Sequence, residues 1–70
     1  MQIGELSRRT GLSPSAIRYY EQERLIPPPA RVSGRRLFDQ RALAQLVVVQ
    51  LARDAGFTIA EIRSLVTEFG

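Results

Sequence analysis

The segment from Gly11 to Glu21 most constrains what this chain can fold into, because it encodes a sharp turn followed by a short helix. Gly11 can adopt the positive φ that ends a preceding helix. The Ser13 hydroxyl can cap the next helix, and Pro14 suits a first helical position, where no backbone N–H is needed. About three residues therefore separate two helices, which is the spacing of a helix-turn-helix.

The second helix of this predicted motif divides its side chains between two faces. Ile17 and Tyr20 point to one side, so Tyr20 is predicted to be a core residue in preference to a contact residue. A basic and aromatic face on the other side is typical of a recognition helix for DNA, although an ordinary solvated helix has the same pattern. That face has i, i+3, i+4 and i+7 spacing and consists of Ser15, Arg18, Tyr19 and Gln22.

The composition excludes several classes of chemistry. The 70 residues allow one small domain and contain no cysteine and no histidine, which removes disulfides, thiolate metal sites and imidazole catalysis. No Gly-rich phosphate loop or pair of inward-facing acids appears, so we expect neither an enzyme nor a cofactor or metal site in this chain. The longest apolar run has four residues, and the N-terminus lacks a signal-peptide pattern, so a cytoplasmic location is expected.

Positive charge is concentrated in the first part of the chain. Residues 1–41 contain eight arginines and four acidic residues, whereas residues 42–70 contain two arginines and three acidic residues. All ten basic residues are arginine, which suits forked contacts to phosphate and guanine, although a biased genome composition explains that choice equally well. The positive charge that would bind a partner is therefore predicted to lie in the first half of the chain.

Periodicity and helix-breaking residues predict the elements on either side of the turn. A first helix is expected over about residues 3–10, and prolines at 27–29 forbid helix and impose an extended strap. Residues 30–38 contain two short extended pieces hinged at Ser33-Gly34, which favours a β-hairpin that carries arginines. A basic loop without regular strand pairing is the alternative.

Two further helices are predicted after the hairpin. Asp39 can cap a third helix of about 16 residues that ends near Gly56. Thr58 can cap a fourth helix, in which Glu61 occupies the third helical position and completes a capping box. The apolar side of the fourth helix is expected to be buried and consists of Ile59, Ile62, Leu65, Val66 and Phe69.

Six short motifs follow one another along the chain. They are Ile3-Gly4-Glu5-Leu6, Ser13-Pro14, Arg18-Tyr19-Tyr20-Glu21, Leu25-Ile26-Pro27-Pro28, Gly34-Arg35-Arg36-Leu37-Phe38 and Gly56-Phe57-Thr58-Ile59-Ala60-Glu61-Ile62. Taken together, they resemble the N-terminal DNA-binding domain of MerR-family transcription regulators. The resemblance covers nearly the whole chain, and the ordered series is far more specific than a lone helix-turn-helix.

The resemblance implies a mainly α, winged helix-turn-helix fold with about four helices and a small β-hairpin wing. Residues 1–70 would form this single domain. The helix-turn-helix is expected at about residues 3–23, the first wing at about 30–38 and two second-wing helices at about 40–69. The dimerisation helix and the effector domain of the family are expected to be absent from this chain and to lie beyond Gly70.

The resemblance also implies a function. We expect a bacterial transcription regulator that binds double-stranded DNA sequence-specifically at a palindromic promoter site, where the dimeric full-length protein bends and untwists the DNA for RNA polymerase. The longer protein would be a homodimer, whereas this chain alone would be largely monomeric. The alternative is a basic adaptor module that uses the same arginines to bind an acidic protein surface.

Candidate DNA contacts follow from helix facing and from the resemblance. Arg18 and Tyr19 are expected on the DNA-facing side of the second helix, with Ser15 near its N-terminal end, where side chains can reach base edges. Because Ser15 is short, direct contacts to bases would be sparse, and DNA deformability would supply part of the specificity. Weaker candidates are Arg31, Tyr20 and Gln22.

The wings supply further candidates. Arg35 and Arg36 are expected to contact phosphates or an adjacent minor groove. Backbone N–H groups at Thr58, at the start of the fourth helix, can face a phosphate.

Three departures from the MerR-family pattern affect these expectations. The wing contains Gly34-Arg35-Arg36 where Gly-Tyr-Arg is common, and Phe38 stands where tyrosine is frequent. In the third helix, Val47 and Leu51 stand where charged residues are usual. That apolar pair indicates either a wider buried stripe or a surface for a partner.

Overall fold

The architecture of the chain is that of a small winged helix-turn-helix, in agreement with the fold predicted from the sequence. A computed structural model describes residues 1–69, and it describes side chains as far as Glu68. The expected burial of Phe69 therefore lies outside the described side chains. The elements in order are α1 (Ile3–Thr10), α2 (Pro14–Gln22), β1 (Ala30–Val32), β2 (Arg35–Leu37), α3 (Gln40–Asp54) and α4 (Ile59–Phe69).

The turn between α1 and α2 has the geometry that its residues predict. Gly11 adopts a left-handed conformation with φ 78° and donates its N–H to the Ser7 carbonyl at the end of α1. The Ser13 Oγ accepts a hydrogen bond of 3.1 Å from the Ala16 N–H, and Pro14 is the first residue of α2. The local signals for a helix-turn-helix are confirmed.

The predicted hairpin is also confirmed, in preference to an irregular loop. Strands β1 and β2 pair antiparallel, with Arg31 opposite Arg36 and Val32 opposite Arg35. The two turn residues, Ser33 and Gly34, both have positive φ, at 52° and 76°. This is the pattern of a type I′ turn, whose twist matches that of the flanking strands.

The hairpin is tied to the start of the chain and to the core at Phe38. The Phe38 N–H donates to the Met1 carbonyl at 2.6 Å, and the Phe38 side chain is buried. The phenylalanine thus fills a core position in which a tyrosine hydroxyl would need a hydrogen-bond partner.

Helices α3 and α4 begin at the predicted caps. The Asp39 side chain accepts a 3.1 Å hydrogen bond from the Ala42 N–H, and α3 is 15 residues long. Thr58 and Glu61 form a complete capping box, in which each backbone N–H bonds to the other residue's side chain, at 2.8 and 3.1 Å. The predicted boundaries of both helices agree with the structure to within about two residues.

The core consists of two adjoining clusters, and Tyr20 packs against both. Leu25 belongs to one cluster and Ile26 to the other, so these two residues anchor the proline strap as expected. Tyr20 itself is half-buried, which agrees with the prediction of a core role. The buried members are Leu6, Ile17, Ile26, Phe38, Ala42 and Leu46 in the first cluster, and Leu25, Val49, Ala52 and Ile62 in the second.

The interpretation of Val47 and Leu51 as part of a wider buried stripe is wrong for this chain. Their relative exposures are 45% and 65%, and the neighbouring Val48 is 48% exposed. Helix α3 packs on the core through Ala42, Leu46, Val49 and Ala52, which places residues 47 and 51 on the opposite side. An apolar face of α3 is therefore exposed.

Candidate nucleic-acid interface

The exposed side of α2 presents the residues that the helical spacing placed there. Ser15, Arg18 and Tyr19 are exposed, whereas Ile17 is completely buried against the core. Gln22, at the C-terminal end of the helix, is also exposed. One buried residue thus fixes the rotation of α2 about its axis, and the polar side faces away from the core.

The ring of Tyr19 lies against the ring of Tyr20. The two ring centroids lie 5.7 Å apart with an interplanar angle of 58°, a tilted arrangement that aromatic pairs favour. Because Tyr20 packs against both core clusters, the exposed Tyr19 ring rests on a well-anchored neighbour.

The tertiary structure brings the arginines of α2 and of the hairpin to one groove. Arg18, Arg35 and Arg36 line this groove together with Phe38 and the residues around the start of α1. We call it the arginine groove. Because Arg36 is paired with Glu21, Arg18 and Arg35 supply the positive potential of this groove, which suits phosphate.

A second groove lies between α1 and the hairpin, and it adds a residue that sequence analysis did not single out. Arg8 of α1 lines this groove together with Arg35, Val32 and Leu37. Arg35 therefore borders both grooves. Nothing in the one-dimensional pattern distinguishes Arg8 from any other exposed helical arginine, because its neighbourhood depends on how the hairpin folds back towards α1.

Arg36, predicted as a phosphate contact, already binds a carboxylate in the structure. Its Nη2 atom donates to both carboxylate oxygens of Glu21, at 2.8 and 2.6 Å. This contact joins the hairpin to the C-terminal part of α2. Arg31, the weaker candidate, is exposed on the facing strand directly opposite Arg36.

The Thr58 region is less open to an anion than the sequence suggested. The Thr58 N–H donates to the Glu61 carboxylate, and the Glu61 N–H donates to the Thr58 hydroxyl. The backbone and side-chain hydrogen bonds from Thr58 lower the pKa of Glu61. A carboxylate thus already occupies the helix N-terminus, where a phosphate would have to compete with it.

A further ion pair connects the second wing to the end of α2. The Arg63 Nε atom donates to the Glu23 carbonyl at 2.8 Å, and its Nη2 atom donates to the Glu23 carboxylate at 2.8 Å. The end of α2 is therefore linked by side chains to both wings, through Glu21 on one side and Glu23 on the other.

The described residues provide neither a metal-binding cluster nor a helix that could span a membrane. Residues 1–69 hold no group of three or more His, Cys, Asp or Glu side chains placed to bind a metal ion. None of the described helices combines the length and apolar character needed to cross a membrane.

The sequence matches the family described as "MerR HTH family regulatory protein" over residues 1–68. It is 37% identical over 70 residues to the HTH-type transcriptional regulator CueR of Yersinia pestis, covering 99% of this chain and 50% of that protein. It is 41% identical over 66 residues to the ZntR homolog of Haemophilus influenzae, covering 93% of this chain and 49% of that protein. The relatives named here are regulators and not enzymes.

The fold agrees with that of a solved regulator. The crystal structure of PbrR691 from Ralstonia metallidurans CH34 in complex with lead(II) superposes with a TM-score of 0.89 and 38% sequence identity. The alignment covers 96% of this chain and 53% of that chain, so the present chain spans about half the length of the relatives it matches. From the match over residues 1–68 and from the winged helix-turn-helix geometry, we conclude that the chain belongs to the MerR family of transcriptional regulators and corresponds to its DNA-binding domain.

Proposed function

We propose that this domain binds double-stranded DNA sequence-specifically, with α2 in the major groove and the hairpin against the adjacent backbone. The observation that carries the proposal is the arginine groove, in which Arg18 from α2 and Arg35 from the hairpin converge. A duplex that lies along α2 would meet both residues at once. The MerR-family membership of the chain supports this orientation.

The proposed contacts fall into two classes with different effects. Arg35 contacts phosphates together with Arg8, which lines the same groove, and these contacts contribute affinity and orientation without sequence information. Arg31, on the other face of the hairpin, is a weaker candidate for a phosphate contact. Arg18 and Tyr19 lie where side chains of a recognition helix reach base edges, with Ser15 nearer its N-terminus. The short Ser15 side chain leaves part of the specificity to the deformability of the duplex.

In the longer protein, we propose that two such domains occupy the half-sites of a palindromic promoter as a homodimer. A dimer bound to two half-sites gains affinity through the effective concentration of the second domain, by a factor of roughly 10²–10⁴. Bending and untwisting of the DNA between the half-sites would then present the promoter to RNA polymerase. The relatives that this chain matches are about twice its length, and these steps are proposed for a protein of that length.

The proposal is tested by selection and salt titration of the 70-residue chain. Duplexes are selected from a randomised library, and the affinity for the selected duplex and for a scrambled duplex is measured at several salt concentrations. We expect affinity to fall steeply with salt, and the Arg35→Ala variant to lose about one unit of the logarithmic slope. Arg53→Ala serves as the matched control, because Arg53 is exposed at the end of α3 and lines neither groove.

The same assay separates this function from the alternative, a basic adaptor for an acidic protein surface. Poly-glutamate is titrated against the complex with the selected duplex. A DNA-binding domain retains a preference for the selected over the scrambled duplex and is displaced only weakly by the polymer. Equal affinity for both duplexes, with efficient displacement by poly-glutamate, would overturn the proposal.

A further inference from the structure

Arg36 and Glu21 join the hairpin to α2 through a close ion pair. One guanidinium nitrogen, Nη2, lies 2.8 Å from Oε1 and 2.6 Å from Oε2 of the carboxylate. The Glu21 side chain retains only 20% of its exposure, whereas that of Arg36 retains 49%. Glu21 is thus the less exposed partner of an ion pair that lies at the surface, and both of its carboxylate oxygens accept from the same guanidinium nitrogen.

The strand register of the hairpin explains why a carboxylate next to Arg36 is stabilising. Arg36 lies directly opposite Arg31 on the facing strand, so both side chains leave the same face of the hairpin. Like charges at directly opposite positions of an antiparallel pair repel each other. Glu21 supplies the opposite charge beside them, and among the described residues it is the carboxylate within ion-pair distance of Arg36.

Few other contacts hold the hairpin strands at a defined distance from α2. Every residue of β1 and β2 is exposed, apart from the half-buried Leu37. Among the described residues, neither strand packs extensively on a helix. The angle between the hairpin and α2 therefore depends on the Glu21–Arg36 pair together with the anchor at Phe38, whose side chain is buried in the core and whose backbone is hydrogen-bonded to Met1.

We propose that Glu21 and Arg36 are positioning residues for DNA binding, an inference that rests on the proposed function. The pair holds the hairpin against α2, so that Arg35 meets the backbone of the same duplex whose bases face Arg18. Arg36 acts on DNA through Glu21 and through the resulting position of the hairpin, and not as a phosphate ligand.

The two possible roles of Arg36, phosphate contact and positioning residue, predict opposite effects of Glu21→Ala on DNA affinity. If Arg36 bound phosphate, the carboxylate would compete for the guanidinium and repel the DNA, so Glu21→Ala would strengthen binding. If the pair positions the hairpin, Glu21→Ala weakens binding, because the hairpin loses its link to α2. The sign of the change therefore distinguishes the two roles.

The experiment is a double-mutant cycle on the 70-residue chain, measured with the selected duplex or, if no duplex is selected, with a mixed-sequence duplex. The variants are Glu21→Ala, Arg36→Ala, the double variant and the charge-swapped Glu21→Arg with Arg36→Glu. The control cycle removes Glu5 and Arg9, an exposed ion pair of 3.0 Å within α1 that carries the same charges. Glu5 borders the groove of Arg8 and Arg35, so its single variant can change the affinity, and the control is the absence of coupling between Glu5 and Arg9. Far-UV circular dichroism establishes that each variant is folded, and Glu21→Gln and Arg36→Gln replace any alanine variant that loses helicity.

We expect Glu21→Ala and Arg36→Ala each to weaken binding by roughly threefold to tenfold, with the double variant no weaker than either single variant. The swapped pair should recover most of the affinity, whereas the control cycle should be additive. Stronger binding by Glu21→Ala, or a swapped variant as weak as Arg36→Ala, would overturn the positioning role. If the wild-type chain binds no duplex in a salt-dependent way, the proposed function fails as well, and the two failures are thus distinguishable.

Discussion

The turn of the helix-turn-helix can be tested by placing the same chemical change at two glycines in different conformations. Gly11 has a φ of 78°, and a Cβ atom built on it meets no atom within 4 Å. The cost of Gly11→Ala is therefore conformational and not a clash. A left-handed conformation costs an L-residue about 1–2 kcal/mol, and the smaller entropy of the unfolded alanine chain offsets about 0.4–1 kcal/mol of it.

The net expectation for Gly11→Ala is a loss of about 0–1.6 kcal/mol in the free energy of unfolding, with a central value of roughly 0.8 kcal/mol. For a domain of this size, the central value lowers the melting temperature by roughly 3–6 °C. Gly4 is the matched control, because it is the second residue of α1 and a Cβ there meets only Arg8 Nη1, at an ordinary contact distance of 3.7 Å. Gly4→Ala should stabilise the domain by up to about 1 kcal/mol through helix propensity.

Thermal and urea unfolding followed by far-UV circular dichroism measure both changes. The two variants should move the melting temperature in opposite directions, although each adds one methyl group. A change in the same direction for both variants would refute the assignment of the turn strain to the backbone of Gly11.

Three further outcomes are expected. The lowered pKa of Glu61 means that its charged form stabilises the fold above about pH 4.3 and that this contribution is lost as the pH falls through the lowered value. Glu61→Gln keeps the capping hydrogen bond but removes the charge, so it should reduce the acid sensitivity of urea unfolding, and an unchanged pH profile would exclude a contribution of the Glu61 charge. Arg18→Ala should narrow the affinity gap between selected and scrambled duplexes by about 1–3 kcal/mol, whereas equal losses on both would exclude base recognition. In sedimentation velocity the chain should be monomeric at micromolar concentration. A dimer would contradict this expectation, and if Leu51→Gln abolished that dimer, the exposed face around Val47 and Leu51 would be the dimer interface.

Contacts between residues up to about four positions apart were predictable from the sequence, because local backbone geometry fixes both partners. Ser13 and Asp39 accept hydrogen bonds from N–H groups three residues later, as their positions before apolar periodic segments predict. Thr58 and Glu61 satisfy each other within one turn. Gly34 favours the hairpin because glycine adopts positive φ without a steric cost, and Ser33 beside it also has positive φ.

The contacts between elements were decided by packing. Glu21 and Arg36 are 15 residues apart and meet only because the hairpin folds back towards α2. The same fold-back places Arg8 beside Arg35, which no local pattern indicates. Leu51 belongs to an apolar helical pattern but is exposed, because the rotation of α3 is set by the residues that fit the core and not by hydrophobicity alone. Local chemistry thus determined which elements form, whereas the partner of each exposed arginine was decided by how those elements pack.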